Sequence, residues 1–219
     1  MLKSTAPDDD ITLAACGANS RSSSSASASA KAGGNLTILT SATDVGWDPA
    51  KSQSLAVTSL ALMHRRLTTW KLEPGKDPEV VPDLATDTGT VSDDGLTYTF
   101  KLKPGVKFHN GDPFTADDVV FSYERAMQPT SDFKGYLTSV EKVSKVDDLT
   151  VKITLKQPFG PMIMTQEVAS APMIPKHIYD GTDYRANPAN NTPIGTGPYL
   201  FKEWKKGSYI RLVKNPNYH

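Results

Sequence analysis

One stretch constrains the fold more than any other: residues 95–127, GLTYTFKLKPGVKFHNGDPFTADDVVFSYERAM. Leu96, Tyr98, Phe100 and Leu102 alternate with Thr97, Thr99 and Lys101. That period of two predicts a half-buried strand. Pro104-Gly105 ends it, because proline pre-sets a turn and glycine accepts positive φ. Val106 and Phe108 form a second short apolar piece, closed by Asn110-Gly111-Asp112. Thr115 then stands where a helix N-cap stands, and Asp118 three positions on completes a capping box with Asp in place of Glu. Ala116, Val119, Val120, Tyr123, Ala126 and Met127 recur at helical spacing and predict the buried stripe.

Around this stretch, alternation predicts a buried strand over 35–40 through Leu36 and Ile38, and a loop over 41–49. Residues 55–67 read as a helix with Leu55, Thr58, Ser59, Leu62 and Met63 turned inward. The proline-rich, acidic segment 72–82 reads as loop with at most edge-strand character. Residues 140–146 and 150–155 predict a hairpin around Asp147-Asp148, with Val151, Ile153 and Leu155 on one face. With 96–102 they make a small antiparallel sheet covered by the 115–127 helix. A short helix is expected over 161–170, a helical turn begun by Pro175 over 175–179, and polar loop over 180–192. Strands over 199–204 and 209–213 predict a last hairpin turned at Lys206-Gly207.

The chain has 219 residues, enough for one large or two small domains. Its 24 basic and 24 acidic side chains balance, so no net field argues for nucleic acid or an anionic membrane. No apolar run is long enough to span a bilayer. One cysteine excludes an internal disulfide and a cysteine metal cluster within the chain. Residues 1–34 are dominated toward their end by Ser, Ala and Gly, the composition of a flexible tether. Within them Leu13-Ala14-Ala15-Cys16-Gly17 resembles a bacterial lipobox, in which Cys16 is lipidated. Asp8, Asp9 and Asp10 occupy the place of a signal peptide's apolar core, so the signal as written is incomplete.

Catalytic patterns are weak. Asp117 and Asp118 are adjacent carboxylates, but neighbours on a helix diverge, and a first helical turn favours acids; capping explains them better than glycosidase chemistry. His64, His109 and His177 lack metal-ligand spacing, and His109 reads as a hydrogen-bonding residue of a turn. Gly195-Thr196-Gly197 opens a strand at Pro198-Tyr199, not a helix, so it reads as a tight crossover and not a dinucleotide site. No Gly-x-Ser-x-Gly elbow occurs. Met162 and Met164 read as core fillers, and Lys202, Lys205, Lys206, Arg211 and Lys214 as a solvated face. Trp47 sits in the loop after the first strand, where open α/β folds place a ligand cleft.

Two blocks carry a resemblance. Pro104-Gly105-Val106-Lys107-Phe108-His109, Asn110 to Ala116, and Phe121-Ser122-Tyr123-Glu124-Arg125 form the first. Pro193 to Tyr199, Trp204, Gly207 and Asn215-Pro216-Asn217-Tyr218 form the second. From about Leu36 to the last residue the chain resembles the peptide and nickel binding family of ABC-importer solute-binding proteins (bacterial extracellular family 5). The family pattern carries Trp where this chain has His219.

The resemblance implies an α/β, class II periplasmic-binding-protein-like clamshell. Residues 35–219 would supply its first lobe, incomplete, with an α+β subdomain inserted over about 67–167 and the second lobe absent. It implies a non-catalytic, extracytoplasmic binder of oligopeptides, dipeptides or similar solutes, at the cell surface or in the periplasm. Such a protein serves ABC permease subunits as a monomer with no cofactor, no metal and no nucleic-acid partner, touching membrane only through a lipid on Cys16. Ligand contacts are expected from Thr43, Asp44, Val45 and Trp47, with Tyr136 in a second contact region. Lacking the opposite lobe, the chain is expected to bind weakly or not at all. The alternative is a lipid-tethered structural or adhesive surface module.

Overall fold

In the computed structural model, residues 34–38, 61–160, 172–184 and 186–218 are described. By its contacts the chain divides into two units, Met1–Ile38 and Leu39–His219. In the first, residues 34–38 carry no regular structure, and Leu36 and Ile38 are exposed. The predicted strand is therefore not formed there. Alternation gives a segment strand character, but a strand persists only where another satisfies its backbone groups.

The second unit is built on antiparallel pairs. Residues 61–63 are helical, and the chain is non-helical from His64, earlier than the predicted end at Leu67. The cause is competition for backbone groups. The N–H groups of Asp83, Leu84 and Ala85 donate to the carbonyls of Leu67, Arg66 and Leu67 at 2.9–3.0 Å. This draws the chain into strand β1 (Thr68–Lys71), which pairs antiparallel with β2 (Glu79–Pro82).

The central sheet has the order β3-β4-β6-β5, with β3 at Thr90–Val91, β4 at Thr97–Lys101, β5 at Val140–Asp147 and β6 at Thr150–Leu155. Tyr98 stands opposite Ile153 and Phe100 opposite Val151, all buried. Thr97, Thr99 and Lys101 face Thr154, Lys152 and Thr150 on the polar side. Helix α1 (Ala116–Ala126) lies against β5 and β6 and shares one core with Phe100, Leu102, Phe108, Phe114 and Ile153.

Residues of α1 outside the predicted stripe are buried as well. Phe121 is buried in a second cluster with Ile174, Tyr179 and Ala189. That side is covered by α2 (Lys176–Tyr179), a single turn after Pro175, and by a 3-10 turn at Pro188–Asn191. α1 grips this layer through hydrogen bonds. Ile174 N–H donates to Ser122 Oγ at 2.9 Å, and Lys176 N–H donates to Asp118 Oδ1 at 2.9 Å. The other oxygen of Asp118 accepts from Thr115 N–H at 2.9 Å, as a capping box requires, and also from Thr115 Oγ1 at 3.1 Å.

The last hairpin pairs β7 (Tyr199–Lys205) with β8 (Tyr209–Lys214). An irregularity between Phe201 and Glu203 leaves the Phe201–Leu212 and Trp204–Ile210 pairs on one half-buried apolar face. Lys202, Lys205, Lys206, Arg211 and Lys214 are exposed, as expected. The helix expected over 161–170 lies outside the described residues.

The turn before α1 needs its glycine. Gly111 has φ 93°, and its N–H donates to Phe108 carbonyl at 2.9 Å. No atom would obstruct a side chain there. Gly111→Val is therefore expected to cost about 1–2 kcal/mol through backbone strain alone, read as a lower urea midpoint. An unchanged midpoint would show that the turn does not require positive φ.

Candidate functional site

The two signature blocks, 86 residues apart at His109 and Gly195, meet in one junction. His109 sits in the loop before α1, half-buried. Its backbone N–H donates to Gly195 carbonyl at 2.8 Å. Its ring Nδ1 accepts from Gly195 N–H at 3.2 Å, which requires that nitrogen to be bare. The ring proton is then on Nε2, which donates to Gly197 carbonyl at 3.0 Å. Asn215 Nδ2 donates to the same carbonyl at 3.1 Å, and Asn215 N–H reaches Pro198 carbonyl at 2.7 Å. Gly197 N–H donates to Met63 carbonyl at 2.7 Å, at the end of the 61–63 helical turn.

The glycines are needed by closeness, not by φ. A Cβ at Gly195 would lie 2.8 Å from His64 Nδ1 and overlap Met63 carbonyl oxygen. One at Gly197 would lie 2.6 Å from Met63 carbonyl carbon and overlap Leu62 carbonyl oxygen. The crossover reading of 195–197 is thus given physical content: three segments converge with backbone in contact with backbone.

Electrostatically the junction favours neutral rings. Burial pushes His64 down to about 4, opposed by its contact with Met173 carbonyl and reinforced by His109 and Arg66. Burial also lowers His109, against the bond to Gly197. Beside His64, the Arg65–Asp83 ion pair closes at 2.8 Å with Asp83 only 5% exposed.

The adjacent acidic groove is lined by Asp112, Thr115, Asp117, Asp118, His177 and Asp180, among others. Three of its carboxylates, those of Asp112, Asp117 and Asp118, are engaged structurally. Asp117 turns outward to Lys145 at 2.6 Å, Asp118 turns inward to Thr115 and Lys176, and Asp112 lies 2.8 Å from His177 Nε2. Asp117 and Asp118 therefore diverge, as their spacing on a helix requires. Among the described residues no group of three or more His, Cys, Asp or Glu is placed to hold a metal, and no helix is long and apolar enough to cross a membrane.

Of the expected ligand residues, Tyr136 alone is described. It lies in the 3-10 turn Asp132–Leu137, held by buried Phe133 and Leu137, and is itself 45% exposed. Thr43, Asp44, Val45 and Trp47 lie outside the described residues, as does Cys16. The junction partners of His109 were not legible from spacing; the signal was a motif block with His109 and a separate block with Gly195, Gly197 and Asn215.

Comparison with known proteins bears on these motifs. A family model described as bacterial extracellular solute-binding proteins, family 5, middle region, matches residues 79–219. The chain is 35% identical over 209 residues to di/tripeptide-binding protein 4 of Pseudomonas aeruginosa, covering 84% of this chain and 38% of that protein. It is 40% identical over 145 residues to the glutathione-binding protein GsiB of Pectobacterium atrosepticum, covering 65% and 27%. The chain thus spans well under half the length of these relatives.

Among solved structures, the Bacillus subtilis oligopeptide-binding protein AppA in complex with a nonapeptide superposes with TM-score 0.72 at 32% identity. The match covers 80% of this chain and 35% of AppA. NikZ of Campylobacter jejuni in complex with Ni(L-His) superposes with TM-score 0.70 at 31% identity, covering 80% and 34%. The architecture is the α/β fold of class II periplasmic binding proteins over the part that this chain spans. By the match over 79–219 and the convergence of its signature residues on one junction, the chain belongs to the bacterial extracellular solute-binding proteins, family 5.

Proposed function

We propose that this chain belongs to an extracytoplasmic receptor that captures small peptides or chemically similar solutes and hands them, unchanged, to the permease subunits of an ABC importer. The observation that carries this reading is the shared chemistry of what the relatives are named for. Di- and tripeptides, glutathione, a nonapeptide and a nickel–histidine complex all present amino-acid amino or carboxylate groups. In this reading residues 35–219 contribute one lobe, with 67–167 as its inserted subdomain. A lipid on Cys16 tethers the protein through the 1–34 tail.

Each assigned ligand residue has a role of stated chemistry. Backbone groups of Thr43 and Val45 pair with an extended peptide, Asp44 takes an ammonium group, and Trp47 covers an apolar side chain. Tyr136 supplies an exposed phenol from a firmly anchored turn.

Calorimetry of the full-length gene product with di-, tri- and longer peptides tests the reading. Asp44→Asn and Trp47→Ala are each expected to weaken peptide binding by about tenfold or more, which is about 1.4 kcal/mol, with thermal stability unchanged. Wild-type affinity in both variants would remove this loop from the site. Absence of any peptide, glutathione or histidine-complex binding would remove the function. Mass spectrometry of the N-terminal peptide from the membrane fraction, expressed behind a complete signal, is expected to find Cys16 acylated. An unmodified Cys16 there would exclude the anchor.

A further inference from the structure

The His109 junction has chemistry that scaffolding alone does not need. An apolar side chain could fill the space beside Gly195, yet a titratable ring spans two backbone groups of the crossover, accepting from Gly195 N–H and donating to Gly197 carbonyl. A second imidazole, His64, is buried against the same glycine. His64 Nδ1 lies 3.3 Å from Met173 carbonyl and donates to it, and Nε2 meets no donor among the described residues.

We propose that His109 is an acid-sensitive clasp: neutral, it ties residues 195–197 to the loop before α1 and to the end of the 61–63 helical turn, and protonation at Nδ1 releases this crossover. A proton on Nδ1 places an N–H against Gly195 N–H, so one bond becomes a repulsion while the Gly197 bond survives. The half-buried ring gives solvent protons access.

The surroundings do not stabilise the added charge. His64, from the segment after the helical turn, couples to His109 directly; Arg66 lies beside His64, with Arg65, Asp83 from the segment after β2 and Tyr123 of α1 around it, Tyr218 near Arg65 and Asp83, and His177 of α2 beside Asn110. The nearby carboxylates already accept hydrogen bonds, Asp83 from Arg65 and Asp112 from Asn110 Nδ2. A second proton, on His64, would enter a fully buried site beside Arg66.

The direction follows from linkage. Burial holds both histidines below their ordinary value near 6.5 in the closed junction, so the released state binds more protons in the interval between the two values. Closure is therefore fully stabilised above about pH 6.5 and is lost as pH falls through the folded values. Each histidine contributes up to about tenfold in the opening equilibrium per pH unit within that interval.

The test uses the wild-type chain. Nitrogen-15 NMR of the rings at pH 7.5 is expected to show His109 with Nδ1 bare and Nε2 protonated. Hydrogen-exchange protection of the Gly195 and Gly197 amides, corrected for intrinsic rate, is expected to fall at least tenfold between pH 7.5 and 5, following the His109 titration. The Tyr98 and Ile153 amides of the central sheet should lose far less. In His109→Gln the fall at Gly195 and Gly197 should shrink to less than half on a logarithmic scale. The opposite tautomer, protection that persists while His109 titrates, or a fall equally steep in His109→Gln would each overturn the proposal. If the variant does not fold, the wild-type tautomer and titration decide. None of these readouts depends on a solute.

Discussion

Gly195→Ala and Gly197→Ala are each expected to lower stability by about 3 kcal/mol or more, the upper range for a group forced into filled space. For a chain of this size that corresponds to a fall in Tm of roughly 6–12 °C. The magnitude follows from what the new methyl would meet. At 195 it meets Met63 carbonyl oxygen and His64 Nδ1, and at 197 Met63 carbonyl carbon and Leu62 carbonyl oxygen. These are mostly backbone atoms, which cannot rotate away as a long side chain would. His64 cannot withdraw either, since it is fully buried and hydrogen-bonded to Met173. Gly135→Ala is the control: open space surrounds that position and its φ is not positive, so a change within about 0.5 kcal/mol is expected. Thermal denaturation followed by circular dichroism reads all three. A Gly195→Ala protein melting with the Gly135→Ala control would show that the crossover does not approach the helical turn so closely.

Asp83→Ala is expected to cost about 3 kcal/mol, the lower end for breaking a buried ion pair because Arg65 keeps 23% of its side chain exposed. Asp83 accepts from Arg65 Nε at 3.0 Å and from Arg66 N–H at 3.4 Å, and its charge offsets two adjacent guanidinium groups. Burial and Arg65 already disfavour the Arg66 cation, and Asp83 opposes both. Arg66 Nε is buried without a hydrogen-bond acceptor among the described residues, so removing the carboxylate leaves this segment more electropositive. Asp83→Asn keeps an acceptor for Arg65 Nε and should recover about half of the loss. Urea denaturation of the two variants makes the measurement. Equal midpoints for Asp83→Ala and wild type would show that the pair is solvent-screened.

Much of the central sheet was legible because its instructions are local. The alternation from Leu96 to Leu102 and from Thr150 to Leu155 assigns the same inward residues that the register Tyr98–Ile153 and Phe100–Val151 pairs and buries. Thr115 and Asp118 lie within one turn of each other, so a capping box could be read from spacing alone. The hairpin of β7 and β8 was equally plain, with Gly207 at φ 72° in its turn. The ligand loop with Thr43, Asp44, Val45 and Trp47 was read only by resemblance, and calorimetry remains its test.

The misreadings have one cause. Helical spacing carried the 55–67 segment to Leu67, but backbone pairing with residues 83–85 ends the described helix at Met63. One amphipathic stripe was read on α1, yet Phe121 and Ser122 are buried as well, because residues 174–189 return to cover a second side. His109 could be recognised as a hydrogen-bonding residue, but not its partners 86 and 88 positions away. By itself the sequence determined the main strands of the central sheet and last hairpin, the turns, the cap and the family, since those depend mostly on neighbours within about a turn of chain. Only the tertiary structure decided where helices stop, which faces are covered, and why two glycines and a histidine must meet. Those outcomes depend on which distant backbone groups satisfy one another when water is excluded.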